Sequence, residues 1–186
     1  MDDFNIIVSI DKFNRIGIND DLLYDIREDK KYFRKITNGH TVVMGRNTWE
    51  SIPDKYKPLP NRTNVVISLN NYNHIKNKYP NIFVYKSLND FINNHNNKNK
   101  VFIIGGESIY KQSYNLLNIK NIYLTYIYDE NNINIDNNLK NKFFDIKRNN
   151  KYNISYIYKI YTSNYKTTIN DKKGKLICFF IKYTLK

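Results

Sequence analysis

Short apolar runs that alternate with helical patterns constrain the fold of this chain more than any other feature. Four runs rich in valine and isoleucine predict strands buried on both faces, at residues 4–10, 41–44, 64–69 and 101–104. Amphipathic patterns predict helices at about residues 26–36, 47–52, 87–95 and 107–117. Strands that alternate with helices in this way predict an α/β fold with a mostly parallel sheet.

The end of the chain has a different pattern. Two longer strand-like stretches, residues 154–161 and 176–183, flank a polar segment that contains Asn170, Asp171 and Gly174, which predicts a terminal antiparallel hairpin. Residues 130–150 are polar and weakly patterned, so we expect a surface loop with a short element around residues 139–144. Because no repeat or linker divides the 186 residues, we expect a single domain over residues 1–186.

Charge is the part of the composition that bears most directly on function. Lysine and arginine total 30 against 17 acidic residues, and a net charge of +13 is typical of proteins that bind nucleic acid or anionic membranes. The chain is also crowded with Asn, Ile, Lys and Tyr and contains no alanine, as an A/T-rich coding sequence would produce. We therefore attribute much of the lysine excess to codon drift and expect neither a nucleic-acid partner nor a membrane partner.

Cysteine and histidine exclude further classes of site. Cys178 is the only cysteine, so no internal disulfide can form and a reducing compartment is expected. His40, His74 and His95 have no metal-ligand spacing, so we expect no metal site. No signal-peptide pattern opens the chain, and no apolar run approaches the roughly 20 residues that span a bilayer. We expect a cytoplasmic monomer.

Three of the six glycines lie where a predicted strand meets a helix, in the segments VVMGRNT and VFIIGGES. Glycine there lets backbone amides approach an anion, and the start of a helix favours negative charge. One such turn alone is more often only a turn, but two in one α/β sheet favour a ligand with two phosphate regions, such as a dinucleotide. Neither segment carries the Rossmann glycine fingerprint, and no P-loop signature occurs, so those two classes are not supported.

Arginine is scarce beside the many lysines, which makes its positions informative. Arg46 directly follows a glycine turn, and Arg62 follows a proline-rich stretch. A guanidinium group suits bidentate binding of a carboxylate or phosphate, so both are candidate ligand-binding residues. We interpret Arg15, Arg34 and Arg148 as solvated surface charges.

Asp29 is the polar member of an otherwise apolar helical stripe formed with Ile26, Phe33 and Ile36. Such a carboxylate is a helix cap, a buried structural partner or a group tuned by burial for proton transfer. The pattern alone leaves these alternatives open, and the first two are together the more frequent. Glu28 falls off the stripe, so we expect it in solvent.

In order along nearly the whole chain, these segments resemble the dihydrofolate reductase family. The most specific match is VVMGRNTWESIP, and the others are FNIIVSI, NRIGINDDLLYDIREDKKYFRK, KPLPNRTNVVIS, VFIIGGESIYKQ, IYLTYI and LICFFIKY. The resemblance implies a single α/β domain with a central, mostly parallel eight-stranded sheet flanked by helices, and a C-terminal antiparallel hairpin. It also implies an NADPH-dependent oxidoreductase of one-carbon metabolism and tetrahydrofolate biosynthesis, which reduces 7,8-dihydrofolate to 5,6,7,8-tetrahydrofolate by hydride transfer to C6 and protonation at N5.

The resemblance also implies roles for individual residues. The catalytic group would comprise Asp29, Tyr24, Leu22 and Thr125, with Asp29 assisting protonation and Thr125 hydrogen-bonding its carboxylate. Substrate would contact Ile7, Asp29, Phe33, Ile52, Leu59, Arg62 and Thr125, with Arg62 on the glutamate tail. NADPH would contact Val8, Ser9, Ile16, Gly17, Gly45, Arg46, Asn47, Thr48, Ile67, Ser68, Lys86, Ile104, Gly105, Gly106, Glu107, Ser108, Ile109 and Tyr110. The peptide bond between the paired glycines would be cis.

Some residues depart from the family pattern. Leu23 and Tyr24 stand where the family usually has Pro-Trp, and the ammonium of Lys30 is expected to lower the pKa of Asp29. Three alternatives stay open: a reductase of the same fold acting on another heterocycle, a folate- or NADPH-binding protein that has lost catalysis, and a basic RNA-binding module. Asp29 and Arg62 favour folate over another heterocycle.

Overall fold

The computed structural model describes residues 3–19, 21–96, 99–129, 141–144, 152–162, 165–167 and 176–186. Its strands are β1 (Phe4–Asp11), β2 (Arg15–Ile18), β3 (Asp21–Leu22), β4 (Tyr24–Ile26), β5 (Thr41–Gly45), β6 (Thr63–Ile67), β7 (Phe83–Tyr85), β8 (Val101–Gly105), β9 (Ile119–Asp129), β10 (Asn141–Phe143), β11 (Tyr152–Thr162), β12 (Tyr165–Thr167) and β13 (Leu176–Leu185). Its helices are α1 (Arg27–Thr37), α2 (Arg46–Ser51), α3 (Tyr72–Lys78), α4 (Leu88–Asn94) and α5 (Glu107–Leu116), with a short 3₁₀ turn at Asp54–Tyr56.

Eight strands form the central sheet, in the order β11-β13-β9-β1-β8-β5-β6-β7. The pairs β1–β8, β5–β8, β5–β6 and β6–β7 are parallel, whereas β13 runs antiparallel to both β9 and β11. The predicted α/β fold, the mostly parallel eight-stranded sheet and the C-terminal antiparallel hairpin are therefore confirmed. Two smaller sheets join β10-β2-β3 and β12-β4.

The predicted elements match the strands and helices that contain long apolar runs. The sequence patterns missed α3, which is rich in Asn and Lys with only Ile75 buried, and β7, which has three residues. They also missed the short strands β2, β3, β4 and β12 and the central strand β9, whose segment IYLTYI was noted only through the resemblance. The short element expected around residues 139–144 is β10. The rest of residues 130–150 lies outside the described ranges, apart from Phe144, and so do Asn170, Asp171 and Gly174.

The described chain divides into two compact units, Met1–Ile6 with Ile36–Lys120 and Ile7–Lys35 with Asn121–Lys186. In the first unit, the parallel strands β5, β6 and β8 are almost wholly buried, as expected of central strands in a parallel sheet. Trp49 from α2 and Phe91 from α4 are also fully buried in this unit, and Trp49 meets Tyr79 edge to face at 5.0 Å.

The second unit has its own core, which forms around the antiparallel end of the sheet. Its buried members are Ile18, Leu23, Tyr24, Ile26, Ile127, Leu176, Cys178 and Phe180, with Tyr32 and Ile160 packed against them. The Tyr32 ring of α1 lies 4.5 Å from the Phe180 ring of β13, so this helix is held on the sheet by aromatic packing. No helix in the described ranges is long and apolar enough to cross a membrane.

Candidate active site

The acidic part of the site is built where β4 leads into α1. Ile26 ends β4 with a buried side chain, and α1 begins at the next residue. Glu28 and Asp29 lie in the first helical turn, and Arg34 and Lys35 in the last, which matches the direction of the helix dipole. This local geometry places Asp29 at the start of the helix, on its half-buried side.

Burial raises the pKa of the Asp29 carboxyl above its ordinary value, because desolvation penalises the charged form. Three weaker interactions oppose this shift: the polar influence of the Thr125 and Ser9 hydroxyl groups, and the positive charge of Lys30. Thr125 contributes more than Ser9, whose Oγ is buried without a hydrogen bond of ordinary length to any described residue. The carboxyl can thus hold a proton more readily than an exposed aspartate can.

Lys30 lowers the pKa of Asp29 as expected, but it has the smallest effect of the four. Its ammonium forms a 2.7 Å ion pair with Asp25, and both side chains are 55% exposed. Water screens a charge in such a position, so the ammonium acts only weakly on the carboxyl next to it in sequence. Although Lys30 departs from the family pattern, burial therefore remains the main influence on the pKa of Asp29.

The prediction that Glu28 lies in solvent is wrong. The residue is half-buried, and its Oε2 atom is buried without a hydrogen-bond partner among the described residues. It lies close enough to Cys178 to act on that thiol electrostatically. Burial, Asp29 and Glu28 together raise the pKa of Cys178 to about 12, so the thiol stays protonated. The helical period placed Glu28 off the apolar stripe, but in the folded chain its Oε2 atom is buried and the residue lies near Cys178 of β13.

Two residues expected in the catalytic group lie in neighbouring short strands. Leu22 is half-exposed in β3, and Tyr24 is buried in β4. Gly17 in β2 pairs with Leu22, and a Cβ added at Gly17 would clash with the backbone carbonyl oxygen of Asp21. Only glycine therefore allows this close approach of β2 and β3.

Arg62 is held in place by contacts within the first unit. Its Nε donates to the Pro60 carbonyl at 3.0 Å, and its Nη1 donates to Thr37 Oγ1 at 3.1 Å. Thr37 is fully buried, so a half-buried guanidinium is anchored at one side. Ile52 and Leu59, which were predicted to line the substrate pocket, are half-buried in the same unit.

The two glycine turns come together in the first unit. A Cβ added at Gly106 would lie 3.2 Å from Thr48 Oγ1, and one added at Gly45 would lie 3.0 Å from Ile109 Cγ1. Gly105 has a φ of +113°, and an added Cβ would also crowd the Tyr110 ring. The peptide between Gly105 and Gly106 is cis, as the resemblance implied.

These turns have the form of a cradle for phosphate. Glycine is the N-cap residue of both α2 and α5, so no N-cap side chain competes for the first-turn amides. An added side chain at any of these glycines would press on Ile109, Tyr110 or Thr48, so glycine allows the turns to pack closely. The residues present therefore fit a ligand with two phosphate regions.

Several predicted cofactor residues around the turns make polar contacts of their own. Arg46 pairs with Glu50 and Glu107 pairs with Lys111, each at 2.7 Å on an exposed helix face. Ser108 accepts a hydrogen bond from Gln112. The remaining predicted contacts divide into exposed and more buried positions. Asn47 and Lys86 are exposed, Ile104 is half-buried, and Val8, Ile67 and Ser68 are buried.

The family model for dihydrofolate reductase matches residues 3–166, which is most of the chain. The chain belongs to the dihydrofolate reductase family. Among curated relatives of that name, the Heliothis virescens protein is 33% identical over 123 residues, which cover 60% of this chain and 66% of the relative. The Bacillus subtilis protein is 33% identical over 124 residues, covering 67% and 68%.

The local match to dihydrofolate reductases is stronger over a shorter stretch. A Mycobacterium tuberculosis dihydrofolate reductase is 55% identical over 53 residues, which cover 28% of this chain and 33% of the relative. The chain spans less than two thirds of the first three relatives, with 66%, 61% and 33% of their lengths covered.

The structure also reveals one buried polar residue of this dihydrofolate reductase family member that the sequence patterns missed. Asn64 is buried in β6, donates to the carbonyls of Leu59 and Arg62, and accepts from the Leu59 amide. It therefore fastens the segment that carries two predicted substrate contacts. The signal available in the sequence was an asparagine at the start of an otherwise apolar strand.

The prediction that Arg15 is a solvated surface charge is wrong as well. Arg15 is buried and forms an ion pair with Asp11. Arg34 is exposed as expected, and Arg148 lies outside the described ranges. Spacing could not reveal the Arg15 contact, because Asp11 and Arg15 are joined by a turn and not by a helix.

Proposed function

We propose that this chain catalyses the NADPH-dependent reduction of 7,8-dihydrofolate to 5,6,7,8-tetrahydrofolate. The observation that carries the proposal is the Asp29 carboxyl, whose pKa is raised by burial and which Thr125 contacts from β9. Membership of the dihydrofolate reductase family supports the same reaction. A buried acid of this kind suits the protonation of a ring nitrogen near neutral pH.

Asp29 supplies or relays the proton that reaches N5 of the substrate. Its carboxyl retains a proton at higher pH than an exposed aspartate does, because burial outweighs the contacts from Thr125, Ser9 and Lys30. Thr125 orients the carboxyl through its hydroxyl. Leu22 and Tyr24 complete this part of the site, and Ile7 and Phe33 form its apolar lining.

NADPH, when bound, supplies the hydride that C6 of the substrate accepts. The turns at Gly45 and at Gly105 and Gly106 would hold its phosphates, which the glycine N-caps of α2 and α5 support. Arg46 selects the 2′-phosphate after its side chain leaves Glu50; their exposed ion pair costs little to break. The protein's own contribution is orientation and exclusion of water.

Arg62 binds the carboxylate of the glutamate tail. Its Nη1 and Nε atoms are fixed by Thr37 and Pro60, so the guanidinium is held before substrate arrives. Ile52 and Leu59 contact the apolar middle of the substrate. A cytoplasmic location and a monomeric state remain our predictions.

The direct test is the oxidation of NADPH by purified protein in the presence of dihydrofolate. We expect the near-ultraviolet absorbance of NADPH to fall, with tetrahydrofolate as the product identified by chromatography. Asp29→Asn serves as the matched control and should reduce the rate. No oxidation above background at high enzyme concentration would refute the proposed activity and favour a binding protein without catalysis.

Arg62→Leu separates folate from other heterocycles. The substitution should weaken dihydrofolate binding by roughly 1.5–3 kcal/mol, the range for hydrogen bonds to charged groups, and leave NADPH binding unchanged. A dihydropteridine that lacks the glutamate tail should bind the variant and the parent protein equally. If the variant loses affinity for both compounds, or for NADPH as well, Arg62 does not recognise the tail.

A further inference from the structure

A buried ion pair ties the first loop of the chain to the strand that precedes it. Arg15 Nη2 lies 2.5 Å from Asp11 Oδ2, and Arg15 Nε donates to the same oxygen at 2.6 Å. Asp11 is 2% exposed and Arg15 is 8% exposed. Two donors of one guanidinium therefore meet a single carboxylate oxygen, which fixes both the distance and the direction of the arginine side chain.

The other oxygen of Asp11 organises the turn itself. Oδ1 accepts hydrogen bonds from the backbone amides of Phe13 and Arg15, each at 2.9 Å. Asn14 adopts a φ of 61°, and its amide donates to the Asp11 carbonyl at 3.0 Å. One aspartate therefore closes the turn through its backbone and both carboxylate oxygens.

The Arg15 guanidinium makes a second contact on its other side. It lies 4.8 Å from the centre of the Phe13 ring, which is half-exposed. The ring shields the ion pair from solvent while its own outer edge stays in water. The ion pair is thereby enclosed at the point where the loop leaves β1.

The ion pair lies where β2 begins. Arg15 is the first residue of β2 and pairs with Phe143 of β10, and the Asn14 carbonyl accepts from the amide of Phe144. Ile16 and Gly17 follow directly, and Gly17 packs so tightly on β3 that no side chain fits. A shift of Arg15 would therefore move both residues.

A buried ion pair is weak evidence for stability, because desolvation of the two charges offsets most of their attraction. Buried polar groups are better attested as devices that specify one local arrangement. An arginine that served only to keep the protein soluble could remain exposed and would not need a buried partner. The enclosure of Asp11 and Arg15 thus indicates that the register of the loop matters.

We propose that the ion pair of Asp11 and Arg15 is a positioning element of the active site. It holds the start of β2 so that Ile16 and Gly17 approach bound NADPH in one fixed arrangement. Neither charged side chain needs to touch the cofactor or the substrate. This inference rests on the proposed function, in which Ile16 and Gly17 are cofactor contacts.

The test uses the full-length protein with Asp11→Asn and Arg15→Met combined. The double variant removes the ion pair without leaving one charge buried, and the asparagine side-chain oxygen can still accept from the two turn amides. Arg15→Lys alone is the conservative rescue, because lysine can still reach the carboxylate. Lys120→Met is the matched control, because Lys120 forms only a 3.4 Å contact with Asp3 and is largely exposed.

We expect the double variant to lose roughly 10- to 100-fold in kcat for NADPH oxidation, the size expected of a small misplacement. The KM for dihydrofolate should change little, and NADPH affinity measured by calorimetry should fall. Amide hydrogen exchange should accelerate in residues 12–18 but not in β5 or β8. Arg15→Lys should recover most of the kcat, and Lys120→Met should match the parent protein.

Two results would overturn the inference. One is a double variant with the parent kcat, NADPH affinity and exchange in residues 12–18. The other is acceleration of exchange throughout β5 and β8, which would indicate general destabilisation. If the parent protein binds NADPH but does not turn over dihydrofolate, only the proposed function fails. NADPH affinity and the exchange pattern then decide the inference without any measurement of turnover.

Discussion

Asp29 illustrates how four influences compete at a single residue. Burial raises the pKa of its carboxyl, while Thr125, Ser9 and Lys30 lower it. Burial prevails because desolvation penalises the charged carboxylate directly, whereas Lys30 acts from an exposed position and is paired with Asp25. The exposure of each neighbour thus decides how strongly it changes the pKa of Asp29.

Asp29→Asn should slow catalysis and stabilise the fold at neutral pH. The rate should fall by roughly 10²- to 10⁴-fold, the range for a positioned proton donor. The pKa of Asp29 is raised in the folded state. Protonated Asp29 therefore contributes fully to the stability of the fold below its unfolded pKa near 3.8, and this contribution is lost as the pH rises through the folded pKa. The variant should therefore gain stability over the parent across that window, as measured by denaturant unfolding at several pH values.

Asp25→Asn is the control for this stability measurement. The same chemical change occurs there on an exposed side chain that forms an ion pair with the exposed Lys30. We expect less than about 0.5 kcal/mol of change at any pH. An Asp29→Asn variant whose stability follows the parent at every pH would contradict the burial of a costly charge at Asp29.

Thr125→Val should shift the pH profile of turnover. The Thr125 hydroxyl favours the ionised carboxylate, so its loss should raise the pKa of Asp29 further and extend activity to higher pH. Ser9→Ala should produce a smaller shift in the same direction, and Thr125→Ser should restore the parent profile. Single-turnover rates across pH provide the measurement, and an acidic shift in Thr125→Val would exclude this role.

At the element scale, the loops that carry predicted ligand contacts are held by single buried polar side chains. Asn64 fastens the segment of Leu59 and Arg62, and Asp11 closes the turn before β2. A loop has no repeating hydrogen-bond ladder, so one side chain that satisfies several backbone groups can define its shape. The consequence is that substitutions outside the ligand contacts should alter ligand binding.

Asn64→Ala tests this arrangement. The substitution leaves the Leu59 amide and two carbonyls without their partner, and each unsatisfied buried group costs roughly 1–3 kcal/mol. We expect lower stability and a higher KM for dihydrofolate, with little change in NADPH affinity. Asn94→Ala is the control, since Asn94 donates to Asp90 on an exposed helix. An unchanged KM would mean that the loop keeps its shape without Asn64.

Gly17→Ala should disturb the pairing of β2 with β3. The added methyl group meets the carbonyl oxygen of Asp21, which cannot move without the backbone of the hairpin. Gly39→Ala provides the comparison, because Gly39 has open space and only a positive φ of +76°, which costs about 1–2 kcal/mol. We expect both variants to be destabilised but only Gly17→Ala to lose turnover. Equal turnover in the two variants would argue against a role for Gly17.

At the scale of the whole molecule, the division into two compact units bears on the prediction of a single domain. Strand β1 and helix α1 each contribute residues to both units, so neither unit contains all of its elements separately. We therefore expect one cooperative thermal transition, with equal calorimetric and van't Hoff enthalpies. Two resolved transitions would contradict the prediction of a single domain.

Apart from β9, which is long but was not predicted from its pattern, the elements that could be predicted were those with long apolar runs. Strands β1, β5, β6 and β8 were predicted because each is a nearly continuous run of buried residues, whereas α3 and β7 are short and largely polar or exposed. The hairpin was predicted because β11 and β13 are long. Errors arose at Glu28 and Arg15, where a charged side chain is covered by residues distant along the chain or across a turn.

The amino-acid sequence by itself determined the alternation of strands and helices, the two glycine turns and the choice of Asp29 as a candidate acid. These are local properties, because hydrophobic period and glycine placement act over a few residues. The tertiary structure decided that Asp29 is desolvated, that Thr125 contacts it, and that Arg15 is enclosed with Asp11. Burial and pairing depend on elements far apart along the chain, and only the folded arrangement brings those elements together.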